Sequence, residues 1–200
     1  MTRAWPVHDV DPDASAIENA RRVLAVRVAE FYSFEPIIPY PELSAALHDL
    51  RISTKRLRYT LELFRPQFGK AGQRQIERVK MLQEELGTLH DHDVRIELIG
   101  DELSQLMLEQ SRNTQSEIAD ASSEELGALA TAALRPPPDD PRRGLIALLG
   151  REHAGRRAAY ARFRELWDTY AGDGMRRELV ALSVTPLSKQ LPNAHSDSLV

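Results

Sequence analysis

Cysteine is absent from all 200 residues. That excludes a disulfide framework, a thiolate nucleophile and a thiolate metal site. No apolar run approaches the roughly 18–20 residues that a membrane-spanning helix needs, and the opening stretch MTRAWPVHDVDPDAS holds no apolar signal core. A soluble, cytoplasmic protein that does not enter a membrane is the expectation. Strand signals are nearly missing, because apolar and polar residues nowhere alternate for long between turn residues. Gly-rich phosphate loops, serine-nucleophile motifs, low-complexity tracts and short repeats are missing too. What is present is a hydrophobic fraction of 42%, near the globular norm, in a chain long enough for one domain with a sizeable core.

Helical periodicity fills the space that strands leave. A first helix is predicted from a Ser15 N-cap through AIENARRVLAVRVAEFYSF, with Ile17, Leu24, Val28 and Phe31 on one face. Pro36, Pro39 and Pro41 then break the chain, and Pro41 suits the first turn of a second helix ending near residue 65, before PQFGKAG. A third helix is predicted over 73–108, its buried stripe being Ile76, Val79, Leu82, Leu86, Leu89 and Ile96. The polar, aperiodic EQSRNTQSEIADASS reads as a mobile excursion, taken as 110–142, which includes a short helix at EELGALATAAL and the break RPPPDDP. The last long helix is expected over 143–170, with Leu145, Leu148, Leu149, Tyr160, Phe163 and Trp167 on its apolar side. The fold class that follows is all-α, a four-helix bundle of long helices over 15–170, with flexible termini at 1–14 and 172–200.

The formal net charge of −4 conceals segregation. Residues 48–80 hold nine Lys or Arg against three acids, whereas residues 101–134 hold one Arg against seven acids. On the second helix, Leu47, Leu50, Thr54, Leu57, Leu61 and Phe64 fall within about 100° of arc and form the core face. Arg51, Lys55 and Arg58 follow i, i+4, i+7 spacing, and His48 begins their stripe. That stripe flanks the core face, whereas Arg56 lies farther round, towards solvent. An idle solvated face mixes signs; here the cations stack with little compensation, so an internal acid or an external anion must balance them.

Asp93, on the apolar stripe of the third helix, is the candidate internal acid. A carboxylate there needs a partner, and Arg51 or Arg58 is the expected one. His90 lies beside the same seam, as a hydrogen-bonded interhelical histidine. Arg74, Arg78 and Lys80 spread in angle, so one or two of them join the basic surface. His153, Arg157, Tyr160 and Arg164 repeat the stripe on the last helix, with Arg156 adjacent.

Three stretches resemble the CHAD family, the conserved histidine α-helical domains, in a single-lobe form. HDLRISTKRLRYTLELF is similar to the family's His-Asp-Leu-Arg helix with its Lys/Arg-Arg-Leu-Arg continuation. LQEELGTLHDHDV is similar to its Leu-Gly-x-x-x-Asp-x-Asp-Val signature, and HAGRRAAYARFRELWDTY to its terminal Arg-rich, aromatic helix. The resemblance spans roughly residues 15–170. It implies an all-helical, non-catalytic protein that binds inorganic polyphosphate through a basic surface. By position the binding residues are His48, Arg51, Lys55, Arg56 and Arg58, with Arg78, Lys80, Arg156 and Arg157 in support; no catalytic residue, cofactor or metal is implied. Many members carry two four-helix halves about a pseudo-twofold axis. This chain has one copy of each motif, so a homodimer is expected.

The chemistry suits that ligand independently. Polyphosphate is a flexible line of anions without bases, Arg forks bridge phosphate oxygens, and Lys supplies point charge. His48 can donate a hydrogen bond or gain charge beside an anion. Few exposed aromatics accompany the stripe, which weighs against single-stranded nucleic acid. Two alternatives stay open. One is a metal-dependent HD-type phosphohydrolase, prompted by the pairs His8–Asp9, His48–Asp49, His90–Asp91 and His92–Asp93. Arg51 and Lys55 would crowd any dication there. The other is a module that docks nucleic acid or an acidic protein.

Overall fold

The computed structural model describes residues 3–134 and 140–184. All regular structure among them is helical: α1 (Ala16–Tyr32), a 3-10 turn (Glu35–Ile37), α2 (Ser44–Leu63), α3 (Arg65–Asp120), α4 (Ser123–Leu134), α5 (Pro141–Gly172) and α6 (Met175–Ser183). The chain is an all-α helical bundle, as the periodicity predicts.

α1 starts where expected. The Ser15 hydroxyl accepts from the Glu18 N–H, and the Glu18 carboxylate accepts from the Ser15 N–H at 2.9 Å, a closed capping box. α2 begins at Ser44, so Pro41 lies outside the helix and not in its first turn. Its place in the linker has a use: the Pro41 carbonyl accepts a 2.8 Å hydrogen bond from Arg156, and the neighbouring Ile38 carbonyl accepts one from Tyr160 at 2.5 Å. The linker is thereby tied along α5.

The expected break at PQFGKAG shrinks to one residue. Gly69 stands at φ 55°, ψ −144°, a conformation that a side chain would strain, and the helix resumes directly. From there α3 continues well past residue 108. The stretch read as an excursion is helical to Asp120 and again in α4; residues 135–139 lie outside the described part. The helix propensity of its Gln, Glu, Arg, Leu and Ala residues favours such a segment even without a buried stripe.

The core is one cluster: Leu24, Val28 and Phe31 of α1; Leu47, Leu50, Leu57 and Leu61 of α2; Ile76, Val79, Leu82, Leu86 and Leu89 of α3; Phe163 and Trp167 of α5; and Met175 and Leu179 of α6. Each such side chain contributes about 1.5–3 kcal/mol by leaving water. Of the expected core positions, Ile96, Leu145, Leu148 and Leu149 are only half-buried.

The ends of the chain depart from the expectation of flexible termini. Trp5 is tied to α1, its carbonyl accepting from Arg27 at 2.8 Å. α6 belongs to the bundle. Met175 and Leu179 enter the core, and Glu178 accepts from Arg74 (2.5 Å), Gln75 (2.6 Å) and Arg78 (3.3 Å) of α3. Residues 185–200 lie outside the described part.

Candidate anion-binding site

α2 and α3 run antiparallel. His48 Nδ1 stands 3.3 Å from His90 Nδ1, and Arg51 Nε stands 3.9 Å from where a Cβ on Gly87 would sit. Carrying that register on by helical spacing sets Lys55 level with Gln83 and Arg58 level with Lys80. His48, Arg51, Lys55 and Arg58 thus form one wall of a groove, and Lys80, Gln83, Gly87 and His90 form the other. The core residues Leu47, Leu50 and Leu57 of α2 and Leu82, Leu86 and Leu89 of α3 lie beneath it. The missing side chain at Gly87 leaves room beside the Arg51 guanidinium.

The polar balance along this groove is unfinished. Arg51 Nε, Arg58 Nε and Gln83 Oε1 are buried without a hydrogen-bond partner, and buried polar atoms normally have one. Arg58 lies over the Tyr59 ring at 4.8 Å and 3.6 Å from the Glu62 carboxylate, too far for a hydrogen bond. Lys80 stands 3.8 Å from Glu84 on an exposed turn. Arg51 and Lys55 have no acid within ion-pair distance among the described residues.

At the end of the groove the two histidines share one contact, with rings 4.5 Å apart between centroids. Only one Nδ1 can carry the proton that joins them. Burial, and then the neighbouring His48 and Arg51, hold the His90 pKa below the ordinary histidine value, against the opposing pull of Asp91 and Asp93. A neutral His90 at neutral pH follows.

Three of the other basic candidates are occupied by structural partners. Arg56 does not face solvent. Its Nη1 donates to Glu30 at 2.7 Å, and Arg27 binds the same buried carboxylate. Arg156 is the partner of Asp93, where Arg51 or Arg58 was expected. The reason lies in level along the helix: Arg51 stands beside Gly87 and Arg58 level with Lys80, more than a turn short of Asp93, whereas α5 brings Arg156 to it. Arg78 pairs with Asp173 (3.4 Å) and Glu178, with its guanidinium 5.5 Å from the Tyr170 ring centre, and so fastens α6. Arg157 is exposed on α5, with no ion-pair partner among the described residues. The structure therefore gathers His48, Arg51, Lys55, Arg58, Lys80 and His90, and engages Arg56, Arg78 and Arg156 with acids outside that group.

Sequence reasoning missed Glu30 and Gly87. Glu30 is one residue from the core Phe31, and that adjacency gives no sign of burial with two arginines. Gly87 was visible only as part of a motif. Among the described residues, no three His, Asp or Glu side chains converge as metal ligands, and no helix is long and apolar enough to cross a membrane.

Comparison with known proteins agrees with this architecture. Residues 3–100 match the model of the CHAD domain family. The matched span holds α1, α2 and α3 as far as Gly100, and with them both walls of the groove; the Arg-rich stretch of α5 lies outside it. No curated protein and no solved structure matches the chain. Through residues 3–100, this chain belongs to the CHAD domain family.

Proposed function

We propose that the chain binds inorganic polyphosphate in the groove between α2 and α3, without hydrolysing it. The observation that carries this reading is the pair of cations left uncompensated on α2. Arg51 and Lys55 have no acidic partner among the described residues, while Arg27, Arg56, Arg78 and Arg156 all do. A fold that pairs most of its other half-buried arginines with acids, yet leaves a stack of positive charge beside the buried donors of Arg51 and Arg58, is prepared for an external anion. His48 to Arg58 covers about 15 Å of helix. A line of phosphates suits that length better than a single small anion. CHAD domain membership supports the same ligand.

The contact set is Arg51, Lys55, Arg58 and Lys80, with His48 and His90 donating at one end and Gln83 able to turn its amide NH₂ to a phosphate oxygen. The same reading keeps the protein in the cytoplasm beside polyphosphate granules, as a scaffold or targeting module, and as a homodimer. Titration calorimetry with polyphosphate of several chain lengths tests it, with DNA and RNA as competitors. Binding tightens with chain length, and nucleic acid competes poorly. With about four phosphates neutralised, the single-strand coefficient gives a log–log salt slope near −2.8, or about a fiftyfold loss between roughly 50 and 200 mM salt. A folded Arg51/Lys55/Arg58 triple glutamine variant that binds as tightly as wild type rejects the groove. Phosphate release with stoichiometric metal rejects the non-catalytic reading.

A further inference from the structure

Two parts of the molecule differ in how many helices they hold. Near the groove, α1, α2, α3 and α5 surround one core. α2 begins at Ser44, and its His48 is level with His90, so α2 has ended where α3 reaches about Val94. α1 meets the others lower down, where the Phe31 and Trp167 rings pack at a tilt, 5.4 Å between centroids. Above that level α3 keeps α5 beside it, the antiparallel pairing being marked by Arg162–Glu85 (3.0 Å) and Arg95–Glu152 (2.8 Å). Asp140, Pro141 and Arg142 at the start of α5 line one pocket with Leu106, Glu109 and Gln110 of α3. The result is an arm, with α4 adding a thin cover. Past Leu89, Ile99 is the one buried residue of α3.

The arm carries apolar side chains that no helix covers among the described residues. On α3, Val94, Leu98 and Leu108 are exposed along one face, with the polar Asp101 and Gln105 between them at spacings of three and four. Leu98 is 63% exposed and Leu108 59%. This face continues the one that α2 covers lower down. On α5, Ile146 is exposed, with Arg143 one turn before it and Arg157 three turns after it.

Charge decides what fits there. Residues 97–120 of α3 hold six acids and one Arg, whereas residues 141–157 of α5 hold five Arg and one Glu. Glu97, Asp101, Glu102, Glu109, Glu117 and Asp120 are all exposed, with no ion-pair partner among the described residues, and so are Arg143, Arg151 and Arg157. One arm therefore offers an acidic apolar face and a basic apolar face. A second arm turned by a twofold axis presents the complement of each.

We propose that a second copy of this chain docks arm to arm, laying the α3 face of each copy against the α5 face of the other. Two α3 and two α5 segments then close a four-helix section of the kind the groove region builds within one chain. The contact is isologous and satisfies both charged faces twice. It goes beyond the homodimer expected from the single set of motifs by assigning the surface, and it leaves both grooves open.

The absence of cysteine makes the test clean. The full chain is sized by sedimentation at high micromolar concentration without polyphosphate, and a dimer is expected. Leu98→Arg, which sets a cation against the basic α5 face, raises the dimer dissociation constant by about tenfold or more, equivalent to at least roughly 1.4 kcal/mol. Helicity is unchanged. Mixing a Leu98→Cys chain with an Ile146→Cys chain under oxidant yields a disulfide-linked heterodimer. A Tyr59→Cys chain, exposed on α2, does not cross-link in this way. A wild-type monomer overturns the proposal, and so does a dimer that cross-links through Tyr59→Cys rather than through the arm. Because the groove is complete in one copy, the Leu98→Arg chain is also titrated with polyphosphate. Loss of dimer with binding retained, or the reverse, tells the two proposals apart.

Discussion

Asp93 offers the sharpest test of how the helices are held. Its carboxylate is bound by Arg156 Nε, and the same guanidinium donates from Nη2 to the Pro41 carbonyl at 2.8 Å. One arginine thus joins α3, α5 and the linker before α2. The side chains are 22% and 14% exposed, so the pair is largely out of water. Asp93→Ala leaves a half-buried guanidinium without its counter-ion. Breaking a buried pair costs about 3–5 kcal/mol, and the residual exposure sets the expectation at the lower end, about 3 kcal/mol. For a chain of this size that lowers Tm by about 6–12 °C. The assay is a double-mutant cycle by thermal or urea unfolding, using Asp93→Ala and Arg156→Ala singly and together, and again with Arg51→Ala in place of Arg156→Ala. Strong coupling is expected for Arg156 and near-additivity for Arg51. Coupling below about 0.5 kcal/mol between Asp93 and Arg156 refutes the clamp; comparable coupling to Arg51 restores the pairing expected from sequence.

Two further outcomes follow from close packing and buried charge. A Cβ added at Gly155 would stand 2.8 Å from His92 Nε2, on a ring held by Glu152 at 2.6 Å. Gly155→Ala therefore costs about 1–3 kcal/mol of strain against roughly 1 kcal/mol of helix propensity gained. In a His92→Ala background the same change becomes stabilising, and chemical denaturation reads both signs. Glu30 is fully buried between Arg27 and Arg56. Glu30→Ala destabilises by about 3–5 kcal/mol, while Arg56→Gln lowers stability and leaves polyphosphate affinity nearly unchanged; calorimetric affinity falling with Arg56→Gln would return Arg56 to the site.

The helices were legible because their information is local. Ser15 with Glu18 marks the start of α1, and the 3.6-residue spacing of Ile76, Val79, Leu82, Leu86 and Leu89 marks the buried face of α3. Partner choice was not legible, since it depends on which helices become neighbours. Asp93 announced that it needed a cation but could not say that α5 would bring Arg156 and not α2 its Arg51. Arg56 sat at the solvent-facing angle of an isolated helix, and α1 arrived there with Glu30. The groove was half legible. The stripe His48, Arg51, Lys55 and Arg58 can be read from one helix, whereas the opposing wall of Lys80, Gln83, Gly87 and His90 requires the antiparallel register. The far end of α3 failed for another reason: it has almost no buried stripe, so periodicity had nothing to report.

The histidine pair adds a proton to this reading, with a sign that can be worked out. His90 has its pKa held down in the folded protein by burial and then by its neighbours His48 and Arg51; Asp91 and Asp93 on α3 pull the other way. Unfolding releases it to the ordinary value near 6.5. The unfolded chain then binds more protons in the window below that value, so the free protein loses stability as pH falls through about 6.5. Bound polyphosphate reverses the local balance, because an anion beside the pair favours the charged imidazole. Binding must then take up a proton, and affinity must rise as pH falls across the same window. Acid therefore weakens the empty fold while tightening its ligand. Calorimetric titrations at pH 8 and pH 6, at fixed ionic strength with long chains, measure the affinity. Buffers of different ionisation enthalpy count the proton. His90→Gln should flatten the pH dependence of binding and remove the acid loss of stability attributed to His90. Wild-type affinity that is equal at the two pH values, with no proton taken up, would show that the phosphate chain does not reach the histidine end of the groove.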